Sequence, residues 1–377
     1  MKNNIGLLIA ICFSMLHAAA QIKPFKPTEV DILIRALVQE DSPGISAMAT
    51  QEQQEIYNLQ RGMASLATSQ VITKDSRFRM ASVSKHITAA AIYKLVQAQK
   101  LSLQDSIGRW FPSLPKQLQA IRVAQLLNHS SGILDYEVLL PAEQSQQVLD
   151  ADILPLLAVK DSLYFEAGSK FRYSNTGYCL LALIVEQVAA QNYAAFVHAQ
   201  LFKPLGLDKA LIYEDVAEID ARAFGYHPNQ GSFSFADQSL TSATKGDGGV
   251  YFSTNDFHAW AYPLMQQLQE PPLRKLFLAN AMPVNKQVQY SMGLFFYQDD
   301  QGNLYCFHSG ESTGFNNIIY MDISRKIVLS VFANRDDACI AKPFEAILLR
   351  VDKQRIKPTK VKTELFNWLS TVYANNY

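Results

Sequence analysis

Residues Phe78 to Lys85 read FRMASVSK and join a short apolar segment to an alanine-rich one. Apolar residues at helical spacing continue from Ile87 to Ala98, which predicts a buried helix behind this stretch. Positions three apart share one face of a helix, so Lys85 can lie about one turn from Ser82. A serine hydroxyl needs a neighbour to accept its proton before it can act as a nucleophile. The stretch therefore predicts a serine nucleophile with its own lysine base at the start of a helix.

Ser-x-x-Lys alone is a weak signal, because it recurs from Ser113, with a proline inside it, and from Ser242, in a loop-like stretch. Only the motif at Ser82 belongs to an ordered set. Tyr-Ser-Asn stands at 173–175 before a long apolar run, and the sequence's one His-x-Gly stands at 308–310. Between them, residues 246–249 read GDGG, a tight loop whose backbone can approach a ligand closely. The order and spacing of the set predict one assembled site.

In this order the motifs resemble the serine β-lactamase-like hydrolases of the class C type, a family that also contains D,D-carboxypeptidases, esterases and D-amino-acid peptidases. The resemblance covers nearly all of the chain after the first twenty residues. It is carried by residues 44–47, 78–85, 126–132, 165–168, 173–175, 204–207, 246–249 with 253–254, and 308–310.

The resemblance implies a role for each matching side chain. Ser82 becomes the acylated nucleophile, Lys85 its proton acceptor, and Tyr173 a second proton-relay group that acts toward the leaving group. A phenol normally titrates near pH 10, so Tyr173 needs an adjacent cation if it is to work as a base. The backbone amides of Ser82 and Glu311 are expected to form the oxyanion hole. The residues expected to bind substrate are Asn175, His308, Gly310 and Glu311.

Two positions depart from the β-lactamase pattern, which usually has Lys-Thr-Gly in place of His308-Ser309-Gly310. A permanent cation there pairs with a substrate carboxylate, whereas histidine is mostly neutral above about pH 6.5. Glu311 stands where small residues are usual, and on a strand it shares a face with Ser309. If its carboxylate turns toward the groove, it disfavours β-lactams and free D-Ala termini. Uncharged esters or amides, or amine-bearing peptides, are then preferred. If it turns to solvent, it has no such effect.

The first twenty residues have the features of a secretory signal peptide. Lys2 is their only charge, an apolar core runs from Ile5 to Leu16, and small residues end at Ala20. We therefore expect a secreted or periplasmic protein, cleaved near Ala20, with no membrane span after processing. An odd number of cysteines follows, at 179, 306 and 339, so at least one thiol is free. Whether Cys306 pairs with Cys339 stays open.

Composition gives no reason to expect a nucleic-acid partner, because 34 basic residues balance 34 acidic ones. The sequence contains no Walker loop, dinucleotide fingerprint or His-Glu-x-x-His motif. No metal and no organic cofactor is therefore predicted. The partner predicted instead is a small-molecule ester, amide or peptide substrate, and the oligomeric state stays open.

Strand patterns stand at both ends of the chain, at 44–50, 55–61, 292–297, 303–307, 317–321 and 327–333, with a closing helix at 343–350. Helical and loop-like patterns fill the middle. The predicted class is α+β, an antiparallel sheet from both chain ends flanked by helices with a mainly helical insertion. The β-lactamase/transpeptidase-like fold that the resemblance implies is the same.

The predicted domain organisation follows from these patterns. After the leader at 1–20, one hydrolase domain spans 21–352, with sheet parts at 21–100 and 290–352 and the helical insertion at 101–289. Residues 353–377 form a basic tail with a short helix, interpreted as a linker and docking helix in preference to a partner or membrane contact.

The predicted function is an exported serine hydrolase that forms an acyl-enzyme on Ser82 and cleaves esters or amides, with D-amino-acid peptides among the candidate substrates. The alternatives within the enzyme class are a D,D-carboxypeptidase or penicillin-binding protein and a weak class C-type β-lactamase. From another class, the chain could be a non-catalytic ligand-binding or penicillin-sensing module. The natural substrate and the deacylation mechanism cannot be derived from the sequence.

Overall fold

The structure, a computed structural model, describes residues 28–214, 218–352 and 363–374 of the chain. The predicted signal peptide and the basic stretch 353–362 lie outside the described residues, so both stay predictions.

The strands of the described residues are β1 (Ile45–Gln51), β2 (Gln54–Arg61), β3 (Met63–Ser65), β4 (Gln70–Val71), β5 (Phe78–Arg79), β6 (Leu211–Ile212), β7 (Tyr226–Asn229), β8 (Ser232–Phe235), β9 (Val250–Phe252), β10 (Met282–Pro283), β11 (Gln289–Ser291), β12 (Leu294–Gln298), β13 (Leu304–Ser312), β14 (Phe315–Asp322) and β15 (Ile327–Ala333).

The α-helices are α1 (Thr28–Leu37), α2 (Lys85–Gln97), α3 (Lys116–Gln119), α4 (Val123–Leu127), α5 (Ile153–Ala158), α6 (Asn175–Ala189), α7 (Tyr193–Val197), α8 (Thr254–Gln269), α9 (Pro271–Ala279), α10 (Ala341–Val351) and α11 (Leu365–Ala374). Among the described residues, no single helix has the length and apolar character to cross a membrane. Only α6 taken together with Tyr193–Leu205, bent by 76°, has both.

One antiparallel sheet of eight strands, in the order β10-β11-β12-β13-β14-β15-β1-β2, forms the centre of the fold. The two ends of the chain meet inside it, because β1 pairs along its whole length with β15, Ile45 lying opposite Ala333. The prediction of an α+β fold with a sheet built from both chain ends is therefore confirmed. The sheet also includes β10 and part of β11, from a region that the sequence analysis assigned to the insertion.

Both faces of this sheet are covered, which explains why every residue of β14 and β15 is buried. On one face α1, α10 and α11 supply apolar side chains such as Ile34, Phe344 and Leu369. On the other face α2 and α8 supply Ile87 and Phe257, and the core continues into the helical insertion. Burial of apolar surface on two faces fixes the sheet between its helices, so β13 and α2 have a defined relative position.

The short helix predicted in the tail is α11. Its residues Leu365, Phe366 and Leu369 are buried against the sheet. The three cysteines at 179, 306 and 339 are all free thiols, so Cys306 and Cys339 are not paired.

Asn334 joins the sheet to the segments around it. Its side-chain oxygen accepts the Gly44 amide at 2.7 Å, although the two residues are 290 positions apart. Its side-chain nitrogen donates to the backbone carbonyls of Met63 at 3.0 Å, Ala64 at 3.3 Å and Phe224 at 2.8 Å. Because Asn334 is fully buried, no water is available to replace these bonds.

We predict that Asn334→Ala lowers the free energy of unfolding by about 3 kcal/mol, because the buried backbone groups lose their partner. Equilibrium urea denaturation measures the change. The matched control is Asn229→Ala at the exposed end of β7, which we expect to cost about 0.5 kcal/mol or less. Equal effects of the two substitutions would contradict the joining role of Asn334.

Candidate active site

The backbone turns sharply just before the predicted nucleophile. Strand β5 pairs with β9, and Ala81 then adopts a left-handed conformation with φ of +47°. A 3-10 turn over Ala81–Ser84 follows and continues directly into α2. The left-handed region is unfavourable for alanine, so the surrounding packing must hold it. This turn presents the partly exposed Ser82 at the start of the helix, with the buried Lys85 one turn below it.

The Lys85 amine makes three hydrogen bonds to three separate parts of the chain. Its Nζ lies 3.0 Å from Ser82 Oγ, 2.8 Å from Asn175 Oδ1 and 3.0 Å from the backbone carbonyl of Asp247. The structure therefore brings together the three predicted residues Ser82, Lys85 and Asn175. It also explains the GDGG loop, whose backbone approaches the lysine.

Burial lowers the pKa of Lys85, and the negative charge of Asp247 offsets only part of this effect. A neutral amine has two N–H groups and one lone pair. The carbonyl oxygens of Asn175 and Asp247 can accept only, so they take the two N–H groups. The lone pair is then directed at the hydroxyl of Ser82. This is the arrangement that a proton acceptor for Ser82 requires.

Tyr173 lies beside this pair, with Lys85 Nζ 4.9 Å from the centre of its ring. The ring of His129 packs against the ring of Tyr173. The rings of His129 and Tyr173 are 4.3 Å apart, and His129 Nδ1 accepts the Ser174 amide at 3.1 Å. Ser174 in turn caps α6 through the Gly177 amide, which fixes Asn175 in the first turn. The segment 126–132 therefore positions the predicted relay group.

Burial raises the pKa of the Tyr173 phenol well above its ordinary value. Tyr373 adds to the effect and Ser82 partly offsets it. This direction is opposite to the one that a phenolate base needs. The phenol form can instead donate a proton, and its hydroxyl makes no hydrogen bond of standard geometry among the described residues. Burial of Tyr173 in this structure therefore favours the phenol form over the phenolate that a base would need.

Three residues of the β13 segment were predicted to bind substrate, and only one of them lines the open pocket beside Ser82. That residue is Glu311, which turns toward the groove. Its Oε1 accepts a hydrogen bond from Ser370 at 2.8 Å, and burial raises the pKa of its carboxyl group. Glu311 therefore lines the groove while it remains exposed to solvent, so it has features of both orientations considered.

His308 is fully buried, and burial keeps its pKa well below the ordinary value. Its Nδ1 lies 2.6 Å from the Ser309 carbonyl oxygen and its Nε2 lies 3.3 Å from the Tyr290 hydroxyl. The carbonyl can only accept, so Nδ1 carries the proton and Nε2 accepts from the tyrosine. With both nitrogens engaged, the structure does not support the predicted contact between this imidazole and substrate.

Gly310 is also buried, and it packs against the chain just before Ser82. A Cβ atom placed on it would lie 2.1 Å from the carbonyl oxygen of Met80. The structure therefore gives Gly310 a role in close packing, and its predicted contact with substrate stays a prediction. Any larger residue would push β13 away from the nucleophile.

Glu137 is a pocket residue that the sequence analysis missed. Its Oε1 accepts a hydrogen bond from Asn175 Nδ2 at 3.0 Å, and it lines the pocket with Ser82 and Glu311. It stands five residues after Gly132 at the end of the resembling segment 126–132, and no spacing rule marks it. No group of three or more His, Cys, Asp or Glu side chains among the described residues could hold a metal ion.

Comparison with known proteins matches the sequence model of the Beta-lactamase family to residues 30–350. Penicillin-binding protein 4* of Bacillus subtilis is 25% identical over 84% of this chain and 73% of its own length. D-aminopeptidase of Brucella anthropi is 27% identical over 63% of this chain, which spans only 45% of that protein.

The fold is also found among solved structures. D-amino acid amidase of Ochrobactrum anthropi SV3, solved with L-phenylalanine amide, superimposes with a TM-score of 0.71. The two are 22% identical, and the match covers 87% of this chain and all of the other. The β-lactamase/transpeptidase-like fold predicted from the sequence is therefore confirmed.

We predict that Lys85→Arg slows the reaction of Ser82 with a fluorophosphonate by about 100-fold or more, because arginine stays protonated and cannot accept a proton. Intact-mass spectra recorded over time give the rate. Lys94→Arg, on the exposed face of the same helix, serves as the matched control and should react like the wild type. A reactive Lys85→Arg protein would exclude Lys85 as the base.

The rate for the wild type should also rise with pH. Only neutral Lys85 accepts a proton, and the neutral fraction grows as pH increases through the lysine's pKa. Because burial lowers that pKa, we expect the rise to be centred below the ordinary value of about 10.4. A rate that falls with pH, after correction for decay of the reagent, would contradict a neutral amine base.

Proposed function

Because the chain belongs to the Beta-lactamase family of serine hydrolases, we propose that it cleaves amides or esters through an acyl-enzyme on Ser82. The observation that carries the proposal is the 3.0 Å contact between Lys85 Nζ and Ser82 Oγ, with the other two Nζ contacts being acceptors. This geometry leaves the lysine lone pair for the serine proton, which is the activation that a serine nucleophile needs.

In the first step Ser82 Oγ bonds to the substrate carbonyl carbon, and its proton passes to Lys85 Nζ. The carbonyl oxygen becomes an oxyanion, for which the amides of Ser82 and Glu311 are the proposed donors; losing one such donor costs about 3 kcal/mol. The bond to the leaving group then breaks as Tyr173 gives its hydroxyl proton to the departing atom. Lys85 returns the proton to Tyr173. Water finally cleaves the ester on Ser82 and releases the acid.

Acidic groups at the pocket favour substrates that carry an amine. Glu137 and Glu311 both line the space beside Ser82, and the buried Asp247 lines it too. The cation that lines the same pocket is Arg79, which is only 2% exposed and bonds to Tyr251. An ammonium group is attracted to this surface, and a carboxylate is repelled. The names of the aminopeptidase and amidase relatives support D-amino-acid amides as a first substrate class.

Export is also part of the proposal, and it rests on residues 1–20. One lysine, an apolar core and a small-residue end at Ala20 are the features of a cleaved leader. Removal of that leader would release the mature enzyme into the periplasm or the medium. N-terminal sequencing of the exported protein tests this point.

A penicillin-binding peptidase is the second candidate function. Its support is the match to penicillin-binding protein 4*, which covers more of this chain than the match to D-aminopeptidase. The two candidate functions require the pocket to bind groups of opposite charge, because benzylpenicillin carries a carboxylate and an amino-acid amide carries an amine.

Intact-mass spectra of the wild type and Ser82→Ala, each incubated with a fluorophosphonate or with benzylpenicillin, test the proposal. We expect a phosphonyl adduct on the wild type only, and no penicilloyl adduct, because the acidic pocket repels the penicillin carboxylate. A penicilloyl adduct or hydrolysed penicillin that requires Ser82 would support the penicillin-binding or β-lactamase alternative. A wild type that reacts with neither reagent would support the non-catalytic binding module.

We predict that Glu137→Gln lowers kcat/KM for D-alaninamide by about tenfold relative to N-acetyl-D-alaninamide, since one charge-assisted hydrogen bond to the amine is lost. Released ammonia gives both rates. Glu143→Gln, an exposed glutamate outside the pocket, is the control and should leave the ratio unchanged. If Glu137→Gln also leaves the ratio unchanged, recognition of the amine by Glu137 is wrong, while the role of Ser82 stands.

A further inference from the structure

Helix α11 contacts the active site, although it lies outside the segments that the sequence analysis joined into a site. Buried Leu365, Phe366 and Leu369 hold its first turns against the sheet. Its last turns place Ser370 and Tyr373 beside the β13 segment. The helix is therefore fixed at one end and directed into the groove at the other.

Tyr373 makes contacts with three residues of the site region. Its hydroxyl lies 2.9 Å from Ser309 Oγ and 3.4 Å from the Ser309 carbonyl oxygen. Its ring centre lies 4.7 Å from that of Tyr173, and its ring stacks over His308 at 6.0 Å. These contacts cover both the predicted proton donor and the imidazole, which explains why His308 does not reach the open pocket.

Ser370 adds a second polar contact one turn earlier. It donates to Glu311 Oε1 at 2.8 Å, and Glu311 is the residue of β13 that turns toward the groove. Two polar contacts and one aromatic contact therefore fix the end of α11 over the strand. A helix that only covered the sheet would need the apolar contacts of Leu365, Phe366 and Leu369 alone.

The part of β13 beneath Tyr373 is an open sheet edge. Strand β12 pairs with β13 only as far as Phe307, whereas β14 pairs with it up to Ser312. Within the described residues, 308–312 are therefore paired on one side only. An open edge can add an extended peptide as a further strand. Tyr373 stands over the Ser309 carbonyl at this edge, so a peptide cannot lie there while α11 is in place.

The position of Tyr173 shows which part of a substrate is restricted by Tyr373. In the proposed reaction Tyr173 gives its proton to the leaving atom, so the leaving group must lie against Tyr173. The ring of Tyr373 is packed directly on Tyr173. Any part of the substrate that extends beyond the leaving atom on that side contacts Tyr373. The acyl side, toward Asn175 and Glu137, stays open.

We propose that Tyr373 is a specificity-determining residue that closes the leaving-group side of the groove and restricts Ser82 to substrates with small leaving groups. Ammonia, short alcohols and fluoride fit this class, and an extended peptide does not. The inference rests on the proposed acylation of Ser82, and it adds the size of the leaving group to the amine preference of the acyl side.

The test compares two reagents that put the same phosphonyl group on Ser82. One is an alkyl fluorophosphonate, which loses fluoride, and the other is the p-nitrophenyl ester of the same phosphonic acid, which loses p-nitrophenolate. Intact mass gives both rates, and their ratio removes differences in the reactivity of Ser82 itself. We expect Tyr373→Ala to raise the aryl-to-fluoride ratio by about tenfold or more over the wild type, as for one lost steric contact in a pocket.

Two control variants separate the possible causes. Tyr373→Phe keeps the ring and loses only the hydroxyl, with its bonds to Ser309 and its 3.4 Å contact with His308 Nδ1, so its ratio should stay within about threefold of the wild type if bulk is the cause. Thr371→Ala changes an exposed residue of the same helix and should keep the wild-type ratio. Thermal unfolding of each variant shows whether the fold is intact.

The measured ratios either support or overturn the proposed role of Tyr373. A Tyr373→Ala ratio within about twofold of the wild type, with both reagents reactive, would overturn the inference and leave the proposed function standing. Equal acceleration of both reagents would also overturn it, because α11 would then be a general cover. Failure of the wild type to react with either reagent would overturn the proposed function, and the inference with it.

Discussion

A lysine amine with no exposure to solvent, bonded to Ser82 one turn away and to acceptors from two distant segments, is the constraint on which the rest of the structure depends. Burying an amine is costly unless its hydrogen bonds are satisfied. For Lys85 that requires the turn at Ser82, the start of α6 at Asn175 and the loop at Asp247 to meet at one point. The insertion must therefore pack against the sheet before the amine is satisfied. The same packing brings Ser82, Tyr173 and the acidic pocket together. The contacts that stabilise the fold are therefore also the contacts that assemble the active site.

The strand that closes this site has two functions at neighbouring residues. Gly310 lets β13 approach the chain before Ser82, since its missing side chain leaves room for the Met80 carbonyl. Glu311 then turns into the groove and holds Ser370 of α11. Gly310 thus allows β13 to approach the chain before Ser82. Glu311 contributes a negative charge to the groove and anchors α11, the helix that narrows it. Together they give a pocket open toward the acyl side and closed toward the leaving group.

The sequence predicted the parts of this arrangement that local rules control. Helical spacing behind Ser82, the order of the short motifs and strand patterns at both ends led to the fold, to the contact between Ser82 and Lys85, and to one site that includes Asn175. It did not predict the direction of the Tyr173 pKa, because that depends on burial in the folded chain and on Tyr373, some two hundred residues away along the chain. His308 was misjudged for the same reason, since α11 covers it. Contacts made by a docked terminal helix leave no periodicity in the segments that they cover.

The pairing of β1 with β15 has a consequence for the life of the chain before it folds. Ile45 emerges early from the ribosome, but its partner Ala333 is made near the end of synthesis. Such distant pairing makes folding slow, because the entropy cost of closing a long loop comes before the stabilising contacts between the strands can form. The nucleophile at Ser82 therefore stays in an unfinished groove throughout translation. A growing chain of this kind cannot place β13 beside Ser82 until nearly all of the protein has been made.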